Sequence, residues 1–494
     1  MPPTRIVQLA TTILEHTQKV DSYLAVENIP TPSFEISCPP RLALPASIQE
    51  SQHAVVEASD ELMALMLGPA ASLTALHPHN SWTSLQAIQR LGIANSFSPS
   101  TTSTFSAIAQ ACSQSESDIR RLLRHAMTYF IFQEPSPGIV AHTASSKALA
   151  EIPQLGQLVG FMSSELWPSA TRLVDALEKW PQSEEPNETG YSIAYSTDKP
   201  MFEFLAQYPE RAQRMAKAMS FMNSGPGYSP RHILENFDWG DAANGLLVDV
   251  GGGQGIVAIE IARHFPRIKC IVQDLPEVIE GVSVPDDLAK DGRLMLMPHD
   301  FFQEQVVKGA DVYYLRWILH DWSDKYATEI IRQLVPALKR GARILVSELC
   351  LPDPCVLSRY KERHARNFDI SMKQIQNSKE RDATDWAQLF AAVDMRFQFG
   401  VNWTQGKARI IKTIAMALNS TATALLRSED EAALATKNSE DATHAREYLS
   451  EEEAARKQWV SLNSSGTTTV RGDGISTVNP GKGETIMMKT FSTE

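Results

Sequence analysis

Cysteine is scarce, with five in 494 residues, at positions 38, 112, 270, 350 and 355. They are odd in number and none is spaced C-x-x-C, which excludes a paired-cysteine zinc site and a disulfide framework and fits reduced thiols in the cytoplasm. Metal ligands are equally thin. His77-x-His79 has no carboxylate or thiol beside it and no H-E-x-x-H occurs, so no metal is expected. No apolar run reaches the roughly 18 residues that a membrane span requires. The N-terminal stripe of Ile6, Leu9 and Ile13 is broken by Gln8, Glu15 and Lys19, as in an amphipathic helix and not a signal peptide. Positive charge is in deficit: a formal net charge of −12 gives a field that repels phosphate backbones. Neither nucleic acid nor membrane is expected as a partner.

What is present divides into three parts. Residues 1–200 carry helical stripes such as Val55, Leu62 and Leu65, then Ile119, Leu122, Leu123, Met127 and Phe130. Within Phe130–Val140 an apolar run, a Pro-Ser-Pro-Gly turn and Ile139-Val140 predict a small hairpin directly after a helix, a winged-helix-like pattern. Arg120, Arg121 and Arg124 would face DNA in such a module, but the acidic balance favours a domain used for dimerisation. Residues 201–418 change to short β runs alternating with helices, the grammar of an α/β fold with a parallel sheet. Strands are expected at Leu246–Val250, Lys269–Gln273, Arg293–Met297, Val312–Leu315 and Ala342–Ser347. Residues 419–494 turn to Ser, Thr, Ala, Glu and Gly, and read as a disordered tail except for a capped helix over Ser450–Val460.

After the first of these strands comes Leu-Leu-Val-Asp-Val-Gly-Gly-Gly-Gln-Gly. The dinucleotide fingerprint G-x-G-x-x-G would need glycine at 256, where Ile256 stands, so a nicotinamide cofactor is disfavoured. The pattern met is acidic-x-G-x-G-x-G, through Asp249, Gly251, Gly253 and Gly255, which suits a cofactor with an amino-acid end. Asp274, followed by Leu275, closes the next apolar strand, where a carboxylate can accept from both hydroxyls of a ribose or, alternatively, cap the helix beginning near Pro276. Asp300 and Phe301 follow the third strand, placed to meet and stack on an adenine. Acidic residues at three successive strand ends mark the ligand-binding edge of an open sheet.

Beyond the fourth strand stands Leu315-Arg316-Trp317-Ile318-Leu319-His320-Asp321-Trp322-Ser323-Asp324. With Gln273–Pro276, Ser347–Pro352 and Lys379-Glu380-Arg381, this stretch resembles the plant and fungal small-molecule O-methyltransferases that include caffeic acid O-methyltransferase, over about Thr197 to Leu418. The resemblance implies a Rossmann-like S-adenosylmethionine-dependent methyltransferase sheet, a dimer, and His320 as general base oriented by Glu348 and Glu380. A phenol of pKa ~10 is scarcely ionised at neutral pH, and a base of pKa ~6.5 removes its proton as attack on the methyl group proceeds. Arg316 stands where the family commonly has a lysine on the cofactor. Asn377-Ser378 replaces an expected Gly-Gly pair. Asp321 and Trp322 are assigned to helix start and packing.

The same resemblance places the acceptor pocket on Met215, Met219 and Met222 of one helix and on Met372 and Gln376, with Phe161, Met162 and Trp167 as further wall. Methionines at such spacing also suit a plain core. The likeness of Asp198–Met219 to fungal members points to a secondary metabolite such as an aromatic polyketide as the methyl acceptor. Two alternatives keep some of these features. One is an S-adenosylmethionine-binding enzyme that transfers no methyl group, catalysing pericyclic, decarboxylative or hydroxylative chemistry; the other is a DNA- or partner-binding regulator.

Overall fold

Two sheets of different construction organise the chain. The computed structural model describes residues 2–74, 78–223, 229–402 and 411–418. The tail expected after residue 419, with its helix at Ser450–Val460, lies outside the described residues.

Helices Arg5–Val26 and Ala46–Thr74 open the chain and pack along one another. Their apolar stripes are wider than that contact. Ile6, Val7 and Leu14 on the first, and Met63, Leu65 and Met66 on the second, stay exposed, Met66 at 70%. The first core forms beyond them, from Ile88, Phe105, Ile108, Ile119, Leu123, Phe132 and Val140. Thr104 caps helix Phe105–Ala111 and Ser115 caps helix Glu116–Met127, each side chain accepting from an amide three residues on.

Behind the second of these helices the expected hairpin forms from β2 (Gln133–Ser136) and β3 (Ile139–Ala141). A strand that the sequence did not announce, β1 (Thr102–Thr104), pairs antiparallel with β3 and makes the sheet three-stranded. Three residues are too few to display alternation. Two of the arginines considered for DNA are occupied locally: Arg120 pairs with Glu116, and Arg124 forks onto Glu134 through two bonds of 2.9 Å.

The larger sheet contains β4 (Leu246–Val250), β5 (Lys269–Asp274), β6 (Leu294–Pro298), β7 (Val312–Arg316), β8 (Arg343–Leu351), β9 (Arg381–Asp382), β10 (Phe397–Asn402) and β11 (Ile411–Leu418). Their spatial order is β10-β11-β8-β7-β4-β5-β6, with β9 beside β8. Strands β6, β5, β4, β7 and β8 run parallel, and β11 and β10 continue the sheet antiparallel. The five expected strands are all present, the last running four residues past its expected end at Ser347.

Burial on both faces explains why β4, β5, β7 and β8 read as apolar runs without alternation, while β6 at the sheet edge leaves Met295 exposed. One face packs Val248, Val250, Tyr313, Leu315 and Phe390, the other Leu247, Cys270, Val272 and Tyr314. From β4 the chain moves outward through β5 to β6 and then returns to β7 on the other side of β4. That reversal opens a crevice at the carboxyl ends of β4 and β7, the place where ligands enter open α/β sheets.

Candidate active site

At the end of β4 the backbone itself forms the surface. Gly251 adopts φ 71°, a region that L side chains rarely occupy, and a Cβ there would stand 2.5 Å from Ile318 Cδ1. Gly252, which had not been singled out, is constrained by contact alone: a Cβ would meet the Asp249 carboxyl carbon at 2.6 Å. The amides of Gly251 and Gly252 both donate to the Gln273 carbonyl on β5, at 2.8 and 3.0 Å. Gly253 donates its amide to Asp274 Oδ2 at 2.8 Å.

The carboxylates expected at strand ends fall around this loop. Asp249 is buried, and burial pushes its carboxyl up to about 7, with Asp274 adding to the shift and Arg316 opposing it. Burial also raises Asp274, against amide bonds from Leu275 and Gly253. Helix Pro276–Ile279 is preceded by Leu275 and receives no side-chain cap, so the capping alternative for Asp274 is not what this chain uses. Asp300 Oδ1 accepts from the Phe302 amide at 2.9 Å, and Phe301 packs against Phe302 and Trp322. Arg316 closes β7 opposite Ser347. A loop intolerant of side chains, bordered by carboxylates on two strands and by Asp300-Phe301 after a third, fits a cofactor with cationic, ribose and adenine parts.

Across the crevice β7 leads into a crowded turn. His320 is buried in the single 3-10 turn Leu319–Asp321, with Nδ1 2.9 Å from Glu380 Oε1. Its Nε2 lies 3.6 Å from Asp321 Oδ1. Burial alone would push the imidazole down; Asp321 and Glu380, with Glu348 behind them, outweigh it and push its pKa up to about 10.

Glu348 stands inside β8, not at the strand's end, and its bonds go elsewhere. Oε1 accepts the backbone amides of Ile318 at 3.0 Å and Leu319 at 2.6 Å, fixing the turn and not the ring. Burial raises this carboxyl to about 7, opposed by His320. The helix after the turn begins at Asp324, so Asp321 is no helix-start residue. It is a half-buried neighbour of the imidazole, its carboxyl lifted by desolvation to about 6. Its place beside His320 in the sequence was the available signal. Trp322 does pack, edge-on to Phe302 at 4.8 Å.

Glu380 arrives by a device too short to foresee. The two residues of β9 pair with Cys350 and Leu351 of β8, and Glu380 precedes them, its amide held by Asp369 Oδ1 at 3.0 Å. Just upstream, Asn377 ends helix Arg359–Gln376 in the left-handed conformation, φ 57°. A glycine would be relaxed there; asparagine is the residue that best tolerates it otherwise. Its side chain adds a function glycine lacks, since Nδ2 donates to the Glu185 and Glu188 carbonyls and Oδ1 accepts from Lys373.

The acceptor-wall candidates separate. Met372 is buried with Tyr191, Met201, Leu205 and Ile375, and Met215 packs against that group. Met219 and Met222, further along the same helix, are half-buried outside it. Gln376, one turn beyond Met372, is buried with Nε2 making no hydrogen bond. Phe161 is buried, while Met162 opens a π-helical turn, Met162–Leu166, and Trp167 follows it.

A family model described as an O-methyltransferase domain matches residues 175–395. The O-methyltransferase kk1A of Curvularia clavata is 40% identical over 80% of this chain and 93% of its own. The chain belongs to the O-methyltransferase family. Chlorophenol O-methyltransferase of Trichoderma longibrachiatum is 38% identical over 80% of this chain and 86% of its own. The crystal structure of OxaC shares the fold at TM-score 0.67 and 21% identity, covering 84% of this chain and 99% of that one. This O-methyltransferase uses S-adenosylmethionine, and the glycine loop with Asp249 and Asp274 is the part of the structure that fits it. No helix among the described residues is long and apolar enough to cross a membrane.

Proposed function

We propose that this O-methyltransferase methylates a phenolic hydroxyl of a secondary metabolite of the aromatic polyketide class, with His320 as general base. The observation that carries the reading is the 2.9 Å contact between His320 Nδ1 and Glu380 Oε1. An ionised Glu380 requires the hydrogen on Nδ1, which leaves Nε2 as the basic nitrogen. Bound S-adenosylmethionine supplies the electrophilic methyl group and a positive charge whose field favours the neutral imidazole.

The chain's own residues then manage one proton. A phenol of pKa ~10 faces an imidazole whose conjugate acid is pushed up to about 10, so the proton passes between nearly matched groups. Glu380 and Asp321 hold the imidazolium that results, while Glu348 keeps the turn in place. Asp274 and Leu275, with Asp300, Phe301 and Arg316, bind the cofactor. Met215, Met219, Met222, Met372 and Gln376 line the acceptor side, and thioethers suit a flat aromatic ring. The relative named for chlorophenol supports a phenolic acceptor.

Three architectural readings accompany this one. Residues 1–200 form a winged-helix-like dimerisation and substrate-lining domain, 201–418 the catalytic domain and 419–494 a low-complexity tail. Exposed apolar side chains on the first two helices support a homodimer, which light scattering reads as twice the chain mass. The scattered free cysteines support a cytoplasmic location.

Purified protein, labelled cofactor and a panel of phenols test the reaction, with product mass as readout. A gain of one methyl group is expected. An unmethylated product with the cofactor unconsumed would replace this reading by non-methylating chemistry, and a His320→Ala variant as fast as the parent would remove the base assignment.

A further inference from the structure

Arg381 is fully buried, and the hydrogen bonds of its guanidinium go to Asp324, Leu319 and Trp322, not to the imidazole or the cofactor loop. Its three recorded hydrogen bonds all reach the segment that carries His320. Nε donates to Asp324 Oδ1, Nη1 to the Leu319 carbonyl and Nη2 to the Trp322 carbonyl, each at 2.8 Å. The guanidinium also rests over the Trp386 ring at 5.1 Å.

From the other side Glu348 takes the amides of Ile318 and Leu319. The turn is therefore held through its amides by one buried carboxyl group and through its carbonyls by one buried guanidinium. What they hold is not a relaxed backbone, because Trp317 at its entrance has φ 57°, a conformation a bulky residue keeps only when its surroundings enforce it. Adjacent residues thus divide the work: Glu380 takes the ring of His320, and Arg381 takes the backbone on both sides of it.

We propose that Arg381 is a positioning residue for proton removal from the acceptor, fixing the Leu319–Trp322 turn so that the His320 imidazole stays on Glu380. This rests on the reading of His320 as base. A lysine at 381 would keep the charge but offer one point donor in place of a fork, and could not reach three divergent acceptors.

The test uses Arg381→Lys and Arg381→Met in the full chain, with circular dichroism and melting to establish folding and calorimetry with S-adenosylhomocysteine to read the cofactor site. The expected result for Arg381→Met is a kcat about 100-fold lower, with acceptor KM and S-adenosylhomocysteine affinity within about threefold of the parent. Arg381→Lys should recover about a tenth to a third of the parent kcat. In a His320→Ala background, followed by single turnover, Arg381→Met should cost about twofold or less, because a positioning residue has nothing left to position. An equal loss in both backgrounds, a loss confined to KM, or weakened S-adenosylhomocysteine binding would overturn the proposal. Should Arg381→Met not fold, Arg381→Lys alone and in the His320→Ala background reads the same cycle. His320→Ala at parental speed would instead sink the base reading, a result distinct from unchanged kcat in the Arg381 variants.

Discussion

The two banks of the crevice are built by opposite means. At the end of β4 the chain removes side chains, so that the Gly251–Gly253 backbone can face a ligand directly and Asp249 can sit beneath it. At the end of β7 it does the reverse, crowding buried His320, Glu348, Glu380 and Arg381 and half-buried Asp321 around one turn. The first bank depends on local chain geometry and on one neighbouring strand. The second depends on charges delivered from three separate stretches of sequence. Damage to the first should weaken cofactor binding, and damage to the second should slow the reaction with the cofactor still bound.

Substituting the base gives the largest separation. His320→Ala should lower kcat by about 10²- to 10⁴-fold and leave S-adenosylhomocysteine affinity near the parent's, read by steady-state kinetics and calorimetry. Loss of affinity in proportion to rate would merge the two banks into one. The converse variant is Gly251→Ala, which combines a strained φ with a Cβ 2.5 Å from Ile318. It should cost about 1–3 kcal/mol in unfolding experiments and weaken cofactor binding about tenfold or more.

The pH dependence sharpens the comparison further. A base must be neutral to act, and the imidazole is pushed up to about 10 by Asp321 and Glu380, so kcat/KM of the parent should climb with pH from neutral into the alkaline range. Glu380→Gln removes one of those anions, lowers the imidazole pKa, and should move this rise about one unit or more toward lower pH. Asp274→Asn, on the other bank, should raise the cofactor dissociation constant and leave the pH profile in place. Smallest of all is Asn377→Gly. Relief of the left-handed backbone offsets the lost bonds to Glu185 and Glu188, and melting should register a net change of about 1 kcal/mol or less.

Legibility in the sequence follows the same divide. The β4 loop could be read because its glycines are followed by Asp274 and Asp300 after the next two strands, and β4, β5, β7 and β8 could be read because each buries both faces. Asp274 was placed correctly at a strand end, although its oxygens already hold the Gly253 and Leu275 amides. The turn was harder. Glu348 stands as a partner of the ring only through the family resemblance; β8 runs on past it, and its Oε1 meets the Ile318 and Leu319 backbone amides. Asp321 looked like a helix start until the helix began at Asp324. Nothing local marks β9, whose two residues bring Glu380 and Arg381 alongside β8, and a long-range pairing of that length leaves no periodicity to detect. Met219 and Met222 share the helical spacing of Met215 but not its packing, since spacing specifies a face and not what covers it.

Asn377 has a consequence for how two distant stretches of the chain are fastened. It joins the last turn of the helix that carries Met372 and Gln376 to the Glu185 and Glu188 carbonyls, beside Lys373 of the same helix, whose Nζ donates to the Ser183 carbonyl. A glycine pair there could make neither bond, so the asparagine adds to this helix end a fastening to a distant stretch of chain that glycine cannot supply.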